Sequence, residues 1–180
     1  MKQVSGRGSS TMRKLSVAAV AVFLTLASRV LALDPGSPEA RLAGITAIHV
    51  VVEDINRDAE RDGLLRSTLQ TDVELKLRLA GIHVVTEREW WDSTDSGTLY
   101  LRVGTLKHVE SGLYAYDIDL HLKESARRVR KPTIILSAVT WNTPGMIGLV
   151  GVKNLSEVRQ SVRDLVDRFI NAYLAANPKR

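Results

Sequence analysis

The chain has 180 residues, 44% hydrophobic and 25% charged, with a formal net charge of +5 and no cysteine. The lack of cysteine excludes disulfides, thiol nucleophiles, cysteine metal sites and bacterial lipidation after a cleavage point. The excess charge lies in residues 1–32, which hold Lys2, Arg7, Arg13, Lys14, Arg29 and no acid; residues 33–180 balance, which removes the electrostatic reason to expect nucleic acid.

Residues 1–32 have the pattern of a secretory signal peptide. A basic start precedes an apolar run from Leu15 to Ala27, interrupted by Ser16 and Thr25. Val30 and Ala32 supply small residues at −3 and −1 of a cleavage point before Leu33. The expectation is export to the periplasm or beyond. The alternative is an inner-membrane anchor through 15–33, but Arg29 cuts the apolar run well short of the roughly 20 residues a span needs. No membrane span is expected in the mature chain.

Residues 33–44 (LDPGSPEARLAG) are rich in Pro, Gly and charge and read as a flexible arm. The remainder, 45–180, has the size of a single domain. Ile45–Val52 is a continuous run rich in β-branched residues and reads as a buried strand. Glu53–Asp62 is charged and reads as a loop. Asp62 can cap a helix to about Ala80, with Leu65, Leu69, Val73, Leu77 and Ala80 on one face. Gly81 then suits the left-handed position beyond the helix. The segment 73–79 also alternates with period two, as a strand would; cap signals and length favour helix.

Ile82–Thr86 reads as a short strand, and 87–97 as a polar loop or short helix carrying Trp90 and Trp91. Leu99–Leu106 and Leu113–Lys123 both alternate. A two-residue turn at Ser111-Gly112 sets Leu101 opposite Leu122, Val103 opposite Leu120 and Arg102 opposite His121. Residues 124–132 read as a basic connection, 133–141 as a strand, and 142–153 as a mobile, Gly-rich apolar loop. A last helix from Asn154, with Glu157 as in a capping box, carries Leu155, Val158, Val162, Leu165, Val166, Phe169, Ile170 and Tyr173 on one face; Asn177-Pro178 ends it. The order β-α-β-β-β-β-α implies an α/β (α+β) two-layer sandwich, a sheet of four to five strands with two helices on one face. The other face then meets water or a partner.

Recognised chemistry is sparse. His49, His83, His108 and His121 fall in no metalloenzyme motif. On the expected outer face His108, Asp117, Asp119 and His121 read as solvated strand residues, so no metal and no cofactor is expected. The turn 92–97 has acids and Gly but lacks calcium-loop spacing. Gly145, Gly148 and Gly151 do not form a phosphate cradle. No G-x-S-x-G occurs, and no catalytic residue is assigned. Two adjacent Trp on an extended loop point apart, so one core cannot take both; Trp90 and Trp91 are therefore candidate partner-binding residues. Met146, Ile147, Leu149 and Val150 of the Gly-rich loop are the others. Arg127, Arg128, Arg130 and Lys131 read first as a solvated hairpin loop, with a charge that would suit anionic lipid or a phosphorylated partner.

The stretches GLLRSTLQTDVELKLRLAGIHVV, GLYAYDIDLHL, TW and NLSEVRQSVRDLVDRFINAYLAANP together resemble a family of uncharacterised exported bacterial proteins, over roughly 45–178. The element order is loosely similar to periplasmic envelope modules, namely the amino-terminal domain of the Tol translocation protein and the lipoprotein activators of penicillin-binding proteins. The resemblance implies an envelope location and carries over no site residues. The expectation is a non-enzymatic extracytoplasmic binding or assembly module that contacts a protein or cell-envelope component. The alternatives are a periplasmic binder of a small or lipidic ligand, in a cleft between sheet and helices, and then an enzyme of unrecognised type.

Overall fold

A computed structural model describes Ser37 and residues 39–178. The expected signal peptide lies outside the described residues. Residues 39–44, expected as part of a flexible arm, are instead held in place. A 3-10 turn, Glu39–Leu42, buries Leu42 completely. Gly44 N–H donates to Asn177 Oδ1 at 2.9 Å, and Asn177 Nδ2 donates to the Leu42 carbonyl at 2.9 Å. Asn177 thus ends the last helix and clamps the entry to the first strand.

Hydrophobic alternation builds a mixed α/β fold around one six-stranded sheet. β1 (Ala47–Val52) is followed by α1 (Arg57–Arg61), α2 (Arg66–Leu79), β2 (Val84–Val85) and α3 (Glu87–Trp91). Then come β3 (Ser96–His108), β4 (Leu113–Arg128), β5 (Lys131–Asn142), β6 (Met146–Gly151) and α4 (Ser156–Ala176). The strand order is β2-β1-β3-β4-β5, and β6 also pairs with β4. β1 lies parallel to β2 and β3; β4 lies antiparallel to β3, β5 and β6. β5 and β6 therefore share one side of β4, divided by the break at 143–145. Among the described residues no helix is long and apolar enough to cross a membrane.

The core forms where the inward rows of the sheet meet α2 and α4. Leu99, Leu101 and Val103 of β3 pair with Leu122, Leu120 and Ile118 of β4, and all six are buried. Leu69, Val73 and Leu77 of α2 close over this layer with Val158, Val162, Leu165, Val166, Phe169, Ile170 and Tyr173 of α4. The two helices are joined by Asp72, which accepts from Arg159 Nη2 at 2.7 Å and from Arg163 Nη2 at 3.2 Å.

Several expectations are corrected. The β3–β4 register is shifted by two: Leu101 pairs with Leu120, and Arg102 with Asp119. The turn is correspondingly longer, 109–112, with Gly112 at φ 65°. The helix expected from Asp62 starts at Arg66 behind Leu65. Asp62 ends α1, a helix within the expected loop, and its carboxylate accepts from Tyr114 Oη at 2.7 Å and from Lys107 Nζ at 2.5 Å. A 3-10 turn at Val152–Asn154 replaces the expected cap of the last helix, which starts at Ser156. The basic connection 124–132 is mostly strand. The pairing of β4 with β3 ends at Lys123, but its pairing with β5 continues to Arg128. The β4–β5 hairpin thus continues as an arm for about 16 Å past the last β3–β4 pair, at about 3.3 Å per residue.

Candidate functional site

The segment expected as a mobile loop is strand β6, and this sorts its four candidate residues by parity. Val150 is buried and Met146 packs half-buried against the core. Ile147 and Leu149 point the other way and are 86% and 72% exposed. Leu149 stands beside Ala115 of β4, and Ala115 beside Leu106 of β3, which is 73% exposed. Leu113, also exposed, continues the patch along β4. Between Leu106 and Ile147 lies an open depression of about 370 Å³ with Gly104 and Ala115 in its lining. One end of the outer sheet face is therefore a contiguous apolar surface.

Gly148 of this strand serves packing. A Cβ on Gly148 would lie 2.5 Å from the Tyr116 ring, so the missing side chain lets that ring lie across β6. Gly104 is similarly constrained, because a Cβ there would collide with Asp117 Oδ1.

A polar belt borders the apolar patch. Arg102 bridges Asp119 and Asp117, its Nε donating to Asp119 Oδ2 at 3.1 Å and its Nη2 donating to both carboxylates. Next along the sheet the Tyr100 ring stacks on His121 at 5.1 Å, Lys123 Nζ sits 3.5 Å from the Tyr100 ring centre, and Tyr100 Oη donates to Glu53 at 3.1 Å. His108 lies apart, its Nδ1 2.9 Å from Ser111 Oγ. The two aspartates are thus committed to a guanidinium and His121 to an aromatic stack.

Burial depresses the His121 pKa, with Lys123 adding to the effect and Asp119 opposing it. Burial likewise depresses His49, against the pull of Glu87 and Glu74. The folded state favours neutral imidazole at both positions. Their contribution to stability is complete above 6.5, the ordinary histidine value, and is lost as pH falls below it. The depressed carboxylates act lower: Asp62 and Asp72 below 3.8, and Glu89 below 4.5. Between pH 7 and about 5 the histidines therefore dominate the stability loss. The double variant H49Q/H121Q is expected to flatten the melting temperature over that interval. An unchanged slope would assign the acid sensitivity elsewhere.

At the opposite end of the sheet Trp90 and Trp91 lie on α3, not on an extended loop. Thr86 Oγ1 accepts from the Glu89 backbone N–H and the Glu89 carboxylate accepts from the Thr86 N–H, a complete capping box. Trp90 lies half-buried against His49, ring centres 5.8 Å apart. Trp91 is 72% exposed and meets Trp90 edge-on at 4.9 Å. A groove of about 360 Å³ separates these rings from the arm, with Ser96, Glu124, Arg127 and Ile135 on its walls. The structure thus distributes the six candidate residues over two separate surfaces and the core.

No family model matches the chain, and no curated protein matches it. Among solved structures the chain is similar to the dodecamer of a PelC point variant from Paraburkholderia phytofirmans, at 18% identity and a TM-score of 0.42, covering 72% of this chain and 87% of that one.

Proposed function

We propose that this protein is a non-enzymatic binding or assembly module of the extracytoplasmic space that contacts a partner protein through the apolar end of its outer sheet face. The observation that carries this reading is the row Leu106–Ala115–Leu149, whose two leucines are exposed, extended by Ile147 and Leu113. Exposed side chains of this size gain nothing in water. Each becomes favourable when covered, at about 25 cal/mol per Å² of apolar surface removed.

The alternative is a small or lipidic ligand held in a cleft between sheet and helices; the cleft lined by Leu64, Leu65, Leu69, Val152, Leu155 and Arg159 lies instead between α2 and the start of α4. That cleft holds about 180 Å³, below the roughly 300 Å³ at which ligand pockets begin. That cleft is therefore small for such a ligand.

The double variant I147D/L149D tests the reading. Both side chains are exposed, so folding is expected to persist. Loss of the two apolar contacts is expected to weaken partner capture by about 2 kcal/mol or more, the scale of interface hot spots. Cross-linked capture from the native envelope should recover a discrete partner with the wild-type protein and lose it with the variant. Identical capture by both proteins would remove this face from consideration. The extracytoplasmic part rests on the amino-terminal pattern. Sequencing of protein recovered from the envelope is expected to begin at Leu33; an intact amino terminus in the membrane pellet would mean an anchored protein.

A further inference from the structure

We infer that the tip of the β4–β5 arm docks on the surface of an anionic lipid bilayer. The tip concentrates Arg127, Arg128, Arg130 and Lys131 around Val129. All four cations are exposed, and among the described residues none forms an ion pair. Residues 33–180 balance in charge, so the rest of that region carries four more acids than bases. The charge is therefore polarised: a cationic tip on an anionic body. An anionic plane attracts the one and repels the other, which orients the molecule end-on.

The apolar side chains of the arm select a bilayer over a dissolved polyanion. Val129, between Arg128 and Arg130, is 96% exposed. Ile135, which pairs with Arg127, and its neighbour Ile134 are exposed as well. A polyanion in water leaves these surfaces wet. A bilayer interface covers them while long basic side chains keep their charges at the phosphates. The arm is poorly suited to accept an added strand at its tip, because Pro132 lacks an N–H and the flanking charges discourage pairing. The reading goes beyond the protein-binding face, which lies near the other end of β4.

The chain has no cysteine, so V129C carries a single environment-sensitive fluorophore at the tip. The chain beginning at Leu33, the form expected after export, is mixed with vesicles of phosphatidylcholine with or without phosphatidylglycerol. The expected result is a blue-shifted, brighter emission with anionic vesicles alone, reversed by high salt as the charges are screened. The same label at E110C, in the turn at the far end of β4, should stay silent. Each basic side chain near an anionic surface strengthens binding about fivefold. In the labelled background R128Q/R130Q should therefore weaken the response about 25-fold, and R127Q/R128Q/R130Q/K131Q by more than about 100-fold. Three outcomes overturn the proposal. The tip label stays silent while the protein pellets with anionic vesicles, so another segment binds. Heparin or inorganic phosphate evokes the same emission shift, so the tip reads a dissolved anion. Or the folded glutamine variants respond as the wild type does, so charge is not the cause.

Discussion

Phe169→Ala is expected to reduce unfolding free energy by about 3–5 kcal/mol, the range for truncating a buried aromatic residue. Phe169 is fully buried on α4, its ring edge-on to Trp141 at 5.2 Å and 5.9 Å from Tyr173. Removing it opens a void between helix and sheet that neither ring can fill from its own position. A domain of this size has roughly 5–15 kcal/mol to lose, so the variant should sit close to its stability limit. Denaturant unfolding followed by circular dichroism measures the loss, with the slope against denaturant unchanged. A midpoint equal to that of the wild type would show that this face of α4 is not core.

Trp141→Ala should cost a similar amount, about 3–5 kcal/mol, with a more local signature. Trp141 is the one buried residue of β5; the rest of that strand is exposed or half-exposed. The arm is therefore fixed to the core by a single large side chain plus its ladder with β4. Amide exchange should accelerate across 131–142 well before it does across 146–151, where Val150 keeps its own buried anchor. Equal acceleration in the two strands would mean that β5 and β6 open as one unit. Because Trp141 and Phe169 touch, the double variant should lose less than the two single losses combined, by about 0.5–1.5 kcal/mol.

The inner face of the sheet was legible in the sequence because period-two alternation states which side chains go together. It does not state the offset. Sliding β3 against β4 by two residues leaves every apolar residue on its own face, so Leu101 opposite Leu120 and Leu101 opposite Leu122 satisfy the pattern equally. Turn chemistry decides between them, and here Gly112 closes a four-residue turn, 109–112, in place of a two-residue one.

The arm was hidden for a different reason. A hairpin that projects beyond the helices has no core face, so ESARRVRKP shows no apolar stripe and resembles a connection. β6 was hidden by its glycines, which argue against strand by propensity, although Gly148 is required where the Tyr116 ring crosses. The α3 helix did leave a signal, Thr86 followed three residues later by Glu89, and that spacing predicts the start of the helix whose last residues are the two tryptophans. Asp62 looked like a helix start because aspartate favours that position. Its partners Lys107 and Tyr114 lie far along the chain, where no local pattern reaches.

β4 has 16 residues, about 50 Å of extended chain, and every other long strand except β1 is bonded to it. The apolar patch lies near its first residues and the cationic tip at its last. A load applied between those ends runs along the strand axis, at right angles to the ladder hydrogen bonds. The covalent backbone of β4 carries such a load, and whatever part enters through Leu106 of β3 or Leu149 of β6 is passed to β4 as shear along a whole ladder, whereas peeling from an edge would open a ladder one pair at a time. The same strand that separates the two surfaces thus gives the molecule its stiffest mechanical axis, a tie-rod between whatever is held at either end.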